Sequence, residues 1–135
     1  MRYRFEDTKY SVDIKENNID AIVPIPLHPK RERKRGYNQS RILAQGITNV
    51  THIEILDTAV IRTVYTNTQT KKNKDERSQN VQGIFKVNNA SILEGKHILI
   101  LDDVITTGAT CISCAETILK NSKVKAISFA SIALA

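Results

Sequence analysis

The sequence predicts one α/β domain built on a mostly parallel central sheet flanked by helices, and three stretches of its 135 residues predict it. Ile19 to Val50 reads as strand, basic loop and helix. Ile98 onward reads as a buried strand, a polar turn and a second helix, and the largely apolar Val124 to Ala133 follows. Strands that alternate with helices pair in parallel, because a parallel neighbour can be reached only through a crossover. A chain of this length fits one domain, and 41% hydrophobic residues suffice for a sizeable core. No internal repeat or long low-complexity stretch is present.

Met1 to Asn18 is charged and weakly patterned, and reads as a tail, a short helix or the remnant of a longer N-terminal region, so the domain is expected to span residues 19–135. Ile19 to Ile25 is apolar apart from Asp20 and runs into Pro24, Pro26 and Pro29, as a strand does when it hands over to a rigid loop. Beyond Gly36, the residues Leu43, Ile47 and Val50 recur at helical spacing with Ala44 beside them, so Tyr37 to Val50 is expected to be amphipathic and helical. Ala59 to Val64 reads as a second strand. Tyr65 to Lys74 is polar and basic without apolar period, the composition of an exposed, mobile loop. Asp75 to Gln82 suits a short helix closed by Gly83, and Ile84 to Val87 a short strand. Ile98 to Leu101 is four consecutive aliphatics, the pattern of a central parallel strand buried on both faces.

The net charge of +6 is uneven. Lys30, Arg31, Arg33, Lys34, Arg35 and Arg41 crowd one stretch, and Lys71, Lys72 and Lys74 another. Such clusters suit a pyrophosphate, a nucleic acid or an acidic protein surface, and equally a plain solvated surface. Cys111 and Cys114 are the only cysteines, spaced C-x-x-C. A tetrahedral zinc site needs four ligands, and His28, His52 and His97 are scattered singly. With Ala115 and Ile118 the cysteines fall at i, i+3, i+4 and i+7, so they read as core residues of a helix, a redox role being the alternative. The longest uncharged apolar run is too short to span a bilayer and the first residues are too polar for a signal peptide, so a cytoplasmic location is expected.

Ile98 to Thr110 carries the chemistry. A buried strand ends in Asp102 and Asp103, two spacers follow, and Thr106-Thr107-Gly108-Ala109-Thr110 turns into a helix. Ligands of open α/β sheets collect at the carboxyl ends of the strands. Free N–H groups at a helix start, the helix dipole and threonine hydroxyls suit a phosphate, and Gly108 lets the backbone approach it. The acidic pair would repel that phosphate and is better spent on a ribose diol or a magnesium ion a few ångströms away, so a sugar phosphate fits both halves. The plainer reading makes the two aspartates and the threonines turn and helix caps.

This run resembles the phosphoribosyl pyrophosphate (PRPP) motif of type I phosphoribosyltransferases. Val23-Pro24-Ile25-Pro26-Leu27-His28, followed by Arg31, Arg33 and Arg35-Gly36-Tyr37-Asn38-Gln39, is similar to the ComF family of competence-associated phosphoribosyltransferase-like proteins. Gln69, Glu76-Arg77, Asn80, Gly83 and Phe85 agree in order and spacing with that family's middle segment, and the likeness covers about Ala21 to the C-terminus. The resemblance implies a type I phosphoribosyltransferase fold. By it, Asp102 and Asp103 meet the ribose hydroxyls and reach magnesium only through PRPP and water. Thr106, Thr107, Gly108, Ala109 and Thr110 hold the 5-phosphate, the loop after Pro24 is the pyrophosphate loop, and Tyr65 to Lys74 is a flexible hood. Two departures stand out: the four-cysteine zinc module with which ComF-like chains often begin is not found here, and Thr106 occupies the place of the acidic residue that faces the base in purine-salvage relatives. Threonine is no base at neutral pH, so purine salvage is not expected.

The expected reaction displaces pyrophosphate from C1 of PRPP, with Mg2+. Arg33, Arg35 and Lys71 or Lys72 would stabilise the leaving group, and Asp102 and Asp103 would fix the sugar and offset its charge. The acceptor is not legible. The family likeness links the chain to DNA uptake, and one alternative is a non-enzymatic accessory protein that responds to PRPP or binds single- or double-stranded DNA through Lys30 to Arg35 and Lys71 to Lys74. A structural partner protein with a vestigial motif is a further alternative. DNA-uptake proteins are expected partners, and a homodimer is expected by family analogy.

Overall fold

A computed structural model describes residues 18–63 and 83–134. Four strands form one all-parallel sheet in the order β2-β1-β5-β6: β1 (Ala21–Pro24), β2 (Glu54–Ile55), β5 (His97–Ile105) and β6 (Ala126–Leu134). The mostly parallel α/β architecture is therefore present. β3 (Val60–Arg62) and β4 (Phe85–Val87) depart from it by pairing antiparallel in a separate two-stranded sheet.

Strand alternation sets the two faces of the main sheet. Ile22, Leu99 and Leu101 pack with Ala44, Leu43 and Ile47 of α2 (Gln39–Thr51). Ala21, Val23, Ile98 and Ile100 pack on the other side with Cys111, Cys114, Ala115 and Ile118 of α3 (Ala109–Asn121) and with Val60 and Phe85 of the small sheet. β1 and β5 thus bury side chains on both faces, which is why each reads as continuous aliphatics. Both cysteines are buried free thiols, as their place on the α3 stripe requires.

Local chemistry moves several boundaries. The stretch after Pro26, expected as loop, contains α1 (Pro29–Arg35). Pro29 sits in its first turn, the His28 side chain accepts from the Lys30 N–H at 3.1 Å, and Gly36 ends the helix at φ 92°, a left-handed conformation that glycine tolerates. Its residues lack apolar period because none is buried. α2 begins at Gln39, not at Tyr37, because Asn38 is its cap. β5 continues four residues past Leu101, so Asp102 and Asp103 lie inside a strand. β2 has two residues and was not apparent in the sequence. Met1 to Asn17 of the expected N-terminal element, the hood Tyr65 to Lys74 and the expected helix Asp75 to Gln82 lie outside the described residues.

Candidate functional site

β1 and β5 end side by side, with Pro24 in register with Leu101 and the Ile25 N–H donating to the Leu101 carbonyl at 2.9 Å. This register brings the loop from β1 to the acidic end of β5. Asn38 fixes the loop from the other side: its side-chain oxygen accepts from the Ser40 N–H at 3.0 Å, and its Nδ2 donates to the Ile25 carbonyl at 3.1 Å. One buried side chain therefore caps α2 and ties the loop's far end to its beginning.

Asp102 meets this assembly directly. Its Oδ1 accepts from the Ser40 hydroxyl at 3.4 Å and from the Asp103 N–H at 2.9 Å. Burial, reinforced by Asp103, pushes the Asp102 carboxyl up to about 6, while the Ser40 and Asp103 N–H bonds pull the other way. Beyond the pair, Thr106 and Thr107 are exposed, and Gly108 adopts φ 81° at the start of α3. The Thr107 hydroxyl accepts from the Ala109 N–H at 3.2 Å. Asp102 and Val104 to Cys111 line a shallow depression of about 30 Å³, open to the first turn of α3. A carboxylate pair on one side and a helix start on the other suit the sugar and the phosphate of one ligand. Among the described residues no three His, Cys, Asp or Glu side chains converge on a metal. Two carboxylates fit magnesium when a ligand's phosphates complete its shell, not as an all-protein cage.

Asp102, Asp103 and Thr106 to Thr110 are thus brought together. Arg33 and Arg35 are exposed, and the Arg35 guanidinium donates to Gln39 Oε1 at 2.7 Å. Lys71 and Lys72 lie outside the described residues. Sequence reasoning missed two contributors. Ser40 gave no signal, since its partner is 62 residues away. Arg62 did give one, as the only charge in the apolar run Ala59 to Val64. Its guanidinium lies over the Phe85 ring at 5.4 Å, and its Nε is buried with no hydrogen-bond partner among the described residues. Burial and the charge of Arg31 lower its pKa, and Asp102 opposes them. Of the basic residues of α1, Arg31 is the one whose charge reaches Arg62. The C-x-x-C thiols are poor nucleophiles here: burial pushes Cys111 up to about 12 and also raises Cys114.

The sequence profile described as the phosphoribosyl transferase domain matches residues 8–135. The chain belongs to this family. The phosphoribosyltransferase domain is 36% identical over 102 residues to the DNA utilization protein YhgH of Escherichia coli K12, which covers 76% of this chain and 44% of that protein. It is 36% identical over 108 residues to competence protein ComFC of Bacillus subtilis, covering 80% and 42%. The chain therefore spans less than half the length of these curated relatives, and its similarity to them agrees with the ComF-type resemblance. Its fold matches that of a purine phosphoribosyltransferase from Pyrococcus horikoshii Ot3 with a TM-score of 0.58 at 18% identity, over 90% of this chain and 65% of that one. Adenine phosphoribosyltransferase of Saccharomyces cerevisiae gives 0.53 at 14% identity, over 90% and 59%. These two likenesses show the type I phosphoribosyltransferase fold. Among the described residues no helix is long and apolar enough to cross a membrane.

Proposed function

We propose that this domain binds PRPP with magnesium and transfers its phosphoribosyl group to an acceptor, releasing pyrophosphate, in a process linked to DNA uptake. The observation that carries the reading is the position of Asp102 and Asp103 in the last four residues of β5, two residues before the Thr106 to Thr110 turn into α3. In this reading the two carboxylates hold the ribose hydroxyls, the turn holds the 5-phosphate, and Arg31 and Arg62 face the diphosphate. Magnesium would be held by the PRPP phosphates with Asp102 and Asp103 nearby, and would neutralise charge on the diphosphate. As the C1–O bond breaks, its electron pair leaves with the diphosphate while the acceptor's lone pair bonds to C1. The developing positive charge on the sugar is offset by the aspartates.

The relatives' names carry the link to DNA. A second reading, a PRPP-responsive or DNA-binding accessory protein without turnover, draws support from the exposure of Lys30, Arg33 and Lys34 along α1. Calorimetric titration of PRPP with magnesium into the wild-type chain and into Asp102→Ala/Asp103→Ala tests the site. Saturable binding that the double variant loses is expected. No binding by the wild type overturns it. Pyrophosphate release over a panel of nitrogen acceptors and nucleic acids then separates transfer from sensing.

A further inference from the structure

Hydroxyl side chains on helices commonly bond back to the carbonyl four residues earlier. Thr51, Thr117 and Ser122 do so here, donating to the carbonyls of Ile47, Ser113 and Ile118 at 2.9, 3.0 and 2.6 Å. Ser40 stands in the first turn of α2, where the residue four positions back, Gly36, lies outside the helix. Its hydroxyl reaches instead across the fold to Asp102 Oδ1.

Ser40 is itself firmly placed. Its N–H donates to Asn38 Oδ1, and Asn38 is tied in turn to the Ile25 carbonyl. Ser40 is only 4% exposed, too covered to receive a ligand, whereas Asp102 is half-buried and lines the depression at the start of α3. The Asp103 N–H and the Ser40 hydroxyl converge on the same Asp102 oxygen. The first belongs to the same strand as the carboxylate, and the second reaches it from a different element. Two donors on one oxygen restrict the rotation of a carboxylate, and an acceptor oriented before its ligand arrives binds more tightly than a free rotor.

We propose that Ser40 is a positioning residue, whose hydroxyl holds the Asp102 carboxylate in the orientation that accepts the ribose hydroxyls of PRPP without itself touching the ligand. The proposal rests on the PRPP reading above and adds to it a residue of α2 that acts only through Asp102.

Calorimetric titration of the whole chain with PRPP, ribose 5-phosphate and pyrophosphate, each with magnesium, is the test. The variants are Ser40→Ala, Asp102→Ala and the two combined. Alanine is the better helix former, so Ser40→Ala keeps α2. It is expected to weaken PRPP and ribose 5-phosphate about fivefold or more and to leave pyrophosphate within about twofold. In the Asp102→Ala background the same substitution should change PRPP affinity less than about twofold, because the group that Ser40 orients is gone. Three results overturn the proposal while the wild type still binds PRPP. They are an unchanged PRPP affinity in Ser40→Ala, an equal loss of pyrophosphate, which would mean a general loosening of the loop, and a loss that persists without Asp102. A wild type that binds no PRPP overturns the reading beneath the proposal, and the proposal with it.

Discussion

The Ser40 hydroxyl donates to Asp102 Oδ1 at 3.4 Å, and so joins the first turn of α2 to the carboxyl end of β5 across 62 residues of sequence. Through this contact the loop after β1 and the acidic pair form one unit, with Asn38 holding the loop beneath.

Asn38 is the first point at which that unit can be tested. Asn38→Ala removes both a helix cap and the donor to Ile25, and is expected to cost about 2–3 kcal/mol in urea unfolding. Asn38→Ser restores the capping oxygen alone and should recover about 1 kcal/mol of that loss. Equal losses in both variants would place the whole effect in the tie to Ile25.

The raised Asp102 carboxyl predicts a pH dependence of opposite sign to that of a salt-bridged aspartate. In the folded chain Asp102 keeps its proton up to about pH 6, whereas the unfolded chain releases it near the ordinary value of 3.8. Between these values the folded state binds more protons, so this residue's contribution to stability falls as pH rises from about 4 to about 6. Asp102→Asn cannot ionise. Its melting temperature relative to wild type should climb across that window and level off above it, and a flat difference would count against the raised pKa.

Gly108 carries the positive φ that starts α3. Gly108→Ala should cost about 1 kcal/mol in stability, because a Cβ disfavours that conformation. It should also weaken PRPP binding more than Ala109→Gly does, read by calorimetry on both folded variants.

Arg31 and Arg33 separate the two sides of α1. Arg31→Ala is expected to weaken PRPP binding at least tenfold, since the charge of Arg31 reaches Arg62, which in turn feels Asp102. Arg33→Ala should leave PRPP affinity within about twofold and, if duplex DNA is bound, flatten the salt dependence of that binding by about 0.9 per cation lost. The reverse pattern would return the diphosphate to Arg33.

Covalent labelling tests the C-x-x-C reading. Iodoacetamide should modify neither Cys111 nor Cys114 in the folded chain at pH 8 and both in urea, because buried thiols with raised pKa values supply little thiolate. Rapid labelling of the native protein would revive a redox role.

By itself the sequence determined the elements that repeat a physical pattern. Ile98 to Leu101 announced a buried parallel strand because both of its faces are covered, and Leu43, Ala44 and Ile47 announced α2 because one helix face packs on the sheet. The acidic pair, the threonine turn and the start of α3 were legible together because they are contiguous, so their geometry is local. Only the tertiary structure decided what depends on register and on which way a helix faces. α1 buries no side chain and therefore leaves no apolar period to read, so the sequence could not show that Arg31 is partly covered and acts on Arg62 while Arg33 is exposed. Ser40 meets Asp102, and Arg62 comes close to it, because separate stretches converge at one edge of the sheet, and no short-range pattern encodes such a meeting.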